Sequence, residues 1–289
     1  MLGPDDLTVA APPFGHVPLL DRLPAFRDAG FKGLALMPTD VWALEAQGMT
    51  AADIAGRIAD HGLTVNEIDC TACWLPAQRA KPAADELGEL IHTLTPERVI
   101  ETAARIGARS VQAVEISNIA VDPDAAAEAF AALCDKAAEH GLKAHIEFLP
   151  TGGIPDLASA WRIVEAAGRP NGGLTIDSWH LFRSGSTLDQ LAQIPGERIF
   201  TVQINDAPAT PQADLWEELM TGRLLPGQGS FDLIGLIRTL DAIGARTPIS
   251  VEVFSTELAS LPIADAARAL AESGTAIIRQ ARKTSRTTA

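Results

Sequence analysis

Basic residues are scarce in this chain of 289 residues. Lysine and arginine together number 23 against 37 aspartates and glutamates, a net charge of −14 with histidine neutral. So acidic a surface repels phosphate backbones and anionic lipid, which argues against nucleic-acid and membrane partners. Cysteine is scarcer still, at three residues. That odd, small number argues against a disulfide scaffold and for a reducing, cytoplasmic setting. Cys70 and Cys73 do form a C-x-x-C, but no second ligand pair lies near to complete a zinc site. Two small buried residues at a strand end is the simpler reading. No run approaches the roughly 18 apolar residues of a membrane-crossing helix. The opening MLGPDDLTVA holds two acids and no basic segment, so no secretory signal is expected there.

What is present is ordinary globular composition, 47% hydrophobic and 21% charged, arranged in a strict alternation. Short β-rich runs begin at LTVAAPPF (7–14), FKGLALMP (31–38), LTVNEIDC (63–70), RSVQAVEI (109–116), KAHIEFLP (143–150), GGLTIDSWHLF (172–182), RIFTVQIND (198–206) and TPISVEVFS (247–255). Helix-like stretches follow each. Thr95-Pro96 reads as a cap and first helical position, and Gly30 and Gly62 as helix ends. LTVNEIDC leads into a longer loop that holds Trp74, Pro76, Lys81 and Pro82. Parallel strands need such helical crossovers, and eight βα units in about 280 residues predict an α/β fold, a single (β/α)8 barrel. An open dinucleotide-binding sheet would carry G-x-G-x-x-G after its first strand; here Pro12-Pro13-Phe14-Gly15 stands instead. No linker divides the chain. One domain over 1–289 is expected, with a frayed polar tail from about 283 to 289.

Four consecutive strands break the rule that parallel strands are apolar on both faces. One alternating set reads His145, Glu147; the next Thr175, Asp177, Trp179; then Thr201, Gln203, Asn205; then Ser250, Glu252, Phe254. The complementary sets are apolar and must pack on the helices, so the polar sets point into the barrel. Each strand thus sends an acid or amide inward near its C-terminal end, where barrel active sites lie. Three buried carboxylates repel one another, and no Lys or Arg occupies these four inward faces. A divalent cation bound by Glu147, Asp177, Gln203 and Glu252 resolves this, and all-oxygen ligation favours Mg²⁺ or Mn²⁺. The alternative is a hydrogen-bonded polar core, or a water-filled mouth lined by carboxylates.

Taken together, I-E-F-L-P around Glu147, D-S-W-H over 177–180, V-Q-I-N-D-A-P over 202–208, R-L-L-P-G-Q-G over 223–229 and V-E-V-F-S around Glu252 resemble the xylose-isomerase-like TIM barrel superfamily of sugar-phosphate isomerases and epimerases. The resemblance covers nearly the whole chain. It implies a Mn²⁺, Mg²⁺ or Co²⁺ ion on those four ligands, with Glu147 and Glu252 also as catalytic acid/base groups. It implies substrate contact or a supporting role for His180 and makes a homodimer an expected assembly. Gln203 stands where ketose epimerases of the superfamily place His, and in this it resembles the 3-dehydroshikimate and inosose dehydratases.

The expected chemistry is proton abstraction beside a metal-bound carbonyl of a small polyhydroxy substrate, through an enediolate. Return of the proton on the opposite face gives an epimer, return to the neighbouring carbon an isomer, and loss of the β-hydroxyl a dehydration product. The metal ligands alone do not separate these. Arg223 lies in a Pro/Gly-rich loop and can grip a hydroxyl, carboxylate or phosphate, or simply be solvated. His145 is expected to hydrogen-bond beneath Glu147. Glu67, Asp69 and Glu115 sit on strands whose faces the pattern does not settle. Trp74 and Trp179 either wall the pocket or pack in the core. A repair endonuclease of the same superfamily would need a His-rich site and a basic groove, against six His and the charge of −14. A non-catalytic binding barrel is the remaining rival.

Overall fold

The computed structural model describes residues 2–283. Among these, eight parallel strands close into a barrel in chain order, the last paired with the first. They are β1 (Leu7–Ala10), β2 (Gly33–Leu36), β3 (Thr64–Thr71), β4 (Ser110–Val114), β5 (Lys143–Glu147), β6 (Gly172–Asp177), β7 (Ile199–Ile204) and β8 (Ile249–Val251). Helices cover the outside, and the outward residues Ile146, Leu174, Ile176, Val202, Ile204 and Val251 are buried against them. This is the (β/α)8 barrel that the alternating pattern predicts.

Local chemistry sets the helix ends. Thr95 accepts a hydrogen bond from the Arg98 amide and Pro96 opens the helix Pro96–Ile106. Gly107, at φ 73°, closes it in the left-handed conformation that only glycine adopts freely. Gly30 ends the helix Leu19–Ala29 in the same way.

Several boundaries differ from expectation. β1 stops at Ala10, because Pro12 and Pro13 carry no amide proton for the ladder and form a 3₁₀ turn with Phe14. β8 is three residues long, so Glu252 sits just beyond it and Ser255 caps the short helix Thr256–Ala259. Trp179 is not on β6: the strand ends at Asp177, and Trp179 belongs to the helix Ser178–Arg183. Two helices, Pro38–Ala46 and Ala51–Asp60, fill the β2–β3 crossover, divided at Gly48 with φ 92°. The segment expected as loop after β3 contains helices Pro76–Ala80 and Glu86–Thr93. The loop after β7 holds another, Leu215–Thr221. No helix of the described residues is long and apolar enough to cross a membrane. The expected polar tail lies outside the described residues beyond Lys283, which ends the helix Ile263–Lys283.

Candidate active site

The strand ends at the C-terminal rim bring four acid and amide side chains together. Glu147 closes β5 and Asp177 closes β6. Gln203 pairs in register with Asp177, and Ser250 pairs with Gln203, which lifts Glu252 one step higher on the same inward face. Gln203 Nε2 donates to Glu252 Oε1 at 3.2 Å. All four are buried, none more than 7% exposed.

His180 reaches the same place through a turn. Asp177 caps the helix Ser178–Arg183, its Oδ1 accepting from the His180 amide at 3.0 Å. That turn folds the imidazole back over the rim, with Nε2 3.6 Å from Glu147 Oε1. One donor atom each from Glu147, Asp177 and His180 lie within 4.8 Å of one another. Asp177 Oδ2 accepts from Asn205 Nδ2 at 2.7 Å, and the Ser178 hydroxyl holds Asn205 in turn at 2.9 Å.

The cation missing from the inward strand faces arrives from a loop. Arg223 follows the helix Leu215–Thr221 and is 2% exposed. Its Nη1 stands 3.2 Å from Asp177 Oδ2 and 3.1 Å from Glu252 Oε2, and its Nε donates to the Leu219 carbonyl. The strand pattern showed no such partner because a loop side chain carries no periodic signature. Two carboxylates staple that loop to the barrel. Glu218 accepts from Trp179 Nε1, Arg183 Nε and the Gln212 amide, and Asp206 accepts from the amides of Ala207, Gly227 and Phe231. Gly227 takes φ 88° there, a turn that admits no side chain without strain.

Burial sets the protonation of the site. It pushes Glu147 well above the usual carboxylate range, and the charges of Glu252, Asp69 and Asp177 push the same way. Burial lifts Glu252 to about 8 although the Arg223 guanidinium opposes it. His180 is held down to about 3 by burial, so its ring is neutral and offers a lone pair.

Three buried atoms here have no hydrogen-bond partner: Glu147 Oε1, Gln203 Oε1 and His180 Nδ1. Such orphans are costly in a packed interior unless something accepts their lone pairs. An electron-pair acceptor among carboxylate, amide and imidazole donors fits a divalent cation.

Among the described residues, no hydrogen bond joins His145 to Glu147. Its Nδ1 instead lies 2.6 Å from Thr175 Oγ1 and its Nε2 3.0 Å from Ser110 Oγ. Burial holds this ring, too, down to about 3.

Pattern reading left Glu67 and Asp69 unplaced; both face inward. Glu67 pairs in register with Ser110, hydrogen-bonds the Thr201 hydroxyl and is lifted to about 7 by burial. Asp69, lifted to about 7 by burial, adds a further carboxyl to the site region. Gln112 on β4 was missed altogether, although its position two after inward Ser110 carries the period-two signal. Glu115 serves the loops, accepting from the amides of Ser117 and Gly153. Trp74 and Trp179 are core residues, 3% and 0% exposed, donating to the Val114 carbonyl and Glu218. Cys70 and Cys73 are free, buried thiols, and burial raises the pKa of both.

Comparison with known proteins agrees with this architecture. The family profile described as xylose isomerase-like TIM barrel matches residues 23–280. The chain belongs to that family. A 3-dehydroshikimate dehydratase of Pseudomonas aeruginosa is 31% identical over 249 residues, covering 84% of this chain and 37% of that protein. An inosose isomerase of Bacillus velezensis is 33% identical over 154 residues, covering 53% of this chain and 54% of that protein. The chain therefore spans less than two thirds of the length of either relative. A crystal structure of the IolI protein with a binding zinc atom superposes with a TM-score of 0.83 at 23% identity, covering 95% of this chain and 98% of that one. At that identity the likeness is one of fold.

Proposed function

We propose that this protein is a divalent-metal-dependent isomerase or epimerase-like enzyme acting on a small polyhydroxy carbonyl compound. The observation that carries the reading is the pair of unpartnered buried oxygens, Glu147 Oε1 and Gln203 Oε1, at a rim where Glu147, Asp177 and His180 each bring a ligand atom within 4.8 Å of the others. Glu147, Asp177, Gln203 and Glu252 hold the ion, Mn²⁺ or Mg²⁺, with Co²⁺ an acceptable substitute, and His180 stands beside them. When bound, the ion supplies Lewis acidity to a substrate carbonyl and its neighbouring hydroxyl.

The chain's own residues handle the proton. Glu147 and Glu252 come from strand ends three apart around the barrel, and burial raises the proton affinity of both, that of Glu252 to about 8. A carboxyl raised above its ordinary range is a better base when ionised. For epimerisation, one carboxylate takes the proton beside the carbonyl and the other, already protonated, gives its own proton to the opposite face; for isomerisation, the carboxyl that took the proton returns it to the neighbouring carbon. Arg223 binds Asp177 and Glu252 together and sets positive charge beside the anion that develops.

A second reading, a carbon–oxygen lyase that dehydrates the same intermediate, is favoured by two observations. Gln203 occupies the β7 position, and a relative matched over 84% of this chain is a 3-dehydroshikimate dehydratase. There the proton of one carboxyl goes to a departing hydroxyl.

Purified protein loaded with Mn²⁺ and offered ketoses, ketose phosphates, inososes and 3-dehydroshikimate in deuterium oxide tests both readings. The expected result is exchange of the proton beside the carbonyl that needs metal and is lost in Glu147→Gln and Glu252→Gln. A new ultraviolet-absorbing conjugated product selects the lyase. Turnover indifferent to chelator and to both substitutions sinks the two together.

A further inference from the structure

Beneath the rim, a line of buried polar side chains crosses the barrel interior and meets the site at one atom. Gln112 turns its amide nitrogen to two carboxyls: Nε2 lies 2.8 Å from Glu147 Oε2 and 3.1 Å from Asp69 Oδ1. Two acceptors facing one NH₂ group leave Gln112 Oε1 as an acceptor. The Thr175 hydroxyl donates to it at 3.1 Å. With its single proton so committed, Thr175 Oγ1 accepts from His145 Nδ1 at 2.6 Å. The neutral ring then carries its lone pair on Nε2, which the Ser110 hydroxyl meets at 3.0 Å. The carboxyl of Glu67 lies 3.3 Å from the same nitrogen. Ser110 opens β4 at the foot of the barrel and Glu147 closes β5 at its rim, so the line runs from foot to rim. Ser110, Gln112, His145 and Thr175 are each 4% exposed or less.

We propose that the Ser110–His145–Thr175–Gln112 line is a positioning device for Glu147, holding Oε2 by hydrogen bonding so that Oε1 alone is offered to a divalent ion. The proposal rests on the metal-dependent reading above. Glu147 Oε1 is the oxygen without a hydrogen-bond partner, and it is the one facing His180. The two carboxyls at the end orient the Gln112 amide, and the Thr175 hydroxyl that donates to its oxygen is then left to accept from His145 Nδ1. A free carboxylate rotates between one- and two-oxygen ligation; a tethered one does not. These four are positioning residues, because none of them is among the proposed ligands of the ion.

Binding of Mn²⁺ alone to the full chain, followed by titration calorimetry, tests the device without any assay of turnover. Thr175→Val removes the hydroxyl and keeps the shape. Its expected effect is about a tenfold weaker Mn²⁺ affinity, with Gln112→Met weaker by up to about a hundredfold, the range found when partners of metal ligands are removed. Thr175→Ser restores the hydroxyl and is expected to stay within about threefold of the parent. Thr247→Val deletes another buried hydroxyl, bonded to the Phe200 carbonyl away from the line, and is expected to leave affinity unchanged. Thermal melting identifies any variant that fails to fold, and the Ser and Met variants then carry the decision. If the parent binds Mn²⁺ and the folded Thr175→Val and Gln112→Met proteins bind it equally well, the positioning device is wrong while the metal reading stands. If the parent binds none, the metal reading itself falls and takes the device with it.

Discussion

Two sides of one barrel follow different rules. On β1 and β2, Thr8 pairs in register with Gly33 and Ser250, and Ala10 with Ala35, so the inward residues there are small: Thr8, Ala10, Gly33 and Ala35. On β5 through β8 the inward residues include His145, Glu147, Thr175, Asp177, Thr201, Gln203, Ser250 and Glu252. The first side is the expected parallel strand, with large apolar groups such as Val9, Leu34 and Leu36 buried outward. The second keeps that outward face and replaces the inward one with polar groups, His145, Glu147, Asp177 and Glu252 among them ionisable. Small residues on one wall leave room opposite a polar one. The difference teaches that the outward face carries the fold and the inward face is free to carry chemistry.

The sharpest break between the two sides is functional. Glu147→Gln is expected to lower turnover roughly a thousandfold, within the range for loss of a positioned acid or base. Steady-state rates with Mn²⁺ present read this out. Arg223→Met removes the cation between two buried carboxyls and is expected to destabilise the metal-free protein by about 3 kcal/mol, as breaking a buried pair does. Added Mn²⁺ should recover most of that in a urea titration; no recovery would show that the two carboxyls do not share an ion. On the apolar side, Leu34→Ala is expected to cost a similar amount, about 3 kcal/mol, through a cavity. Here Mn²⁺ affinity should not move, and an equal loss of affinity would erase the distinction drawn above.

A subtler probe is the pH dependence of stability. Glu67 has a folded-state pKa of about 7, above its ordinary 4.5, because burial disfavours its charge. Between those values the unfolded chain releases the proton and the folded one keeps it. Stability is therefore greatest below about pH 4.5 as far as this group is concerned, and falls as pH rises to about 7, by at most roughly 3 kcal/mol. Glu67→Gln should flatten that fall in metal-free melts between pH 5 and 8. An unchanged slope would assign the pH dependence to the rim carboxyls instead.

Which features were legible in sequence follows from their periodicity. Glu147, Asp177, Gln203 and Glu252 stood out because each is the polar member of a period-two strand with an apolar opposite face. Asp69 and Glu67 did not, because β3 is irregular on both sides: its register against β2 shifts between Val65 and Glu67, and against β4 between Ile68 and Thr71. Arg223 lies 46 residues from Asp177 and 29 from Glu252, and nothing local encodes so distant a pairing. His180 was visible as a residue but not as a neighbour of Glu147, since its approach depends on the helical turn that Asp177 caps.

The amino-acid order alone determined eight strands, their parallel sense and which face of the last four is polar. Those follow from hydrophobic periodicity and from the need for a crossover between parallel strands, both of which are local. Tertiary structure alone decided that a loop arginine bridges two of the carboxyls and that a glutamine on β4 holds a third. Those contacts depend on side chains meeting across paired strands, Gln112 reaching diagonally from β4 to Glu147 at the end of β5, and on the β7 loop lying over the rim.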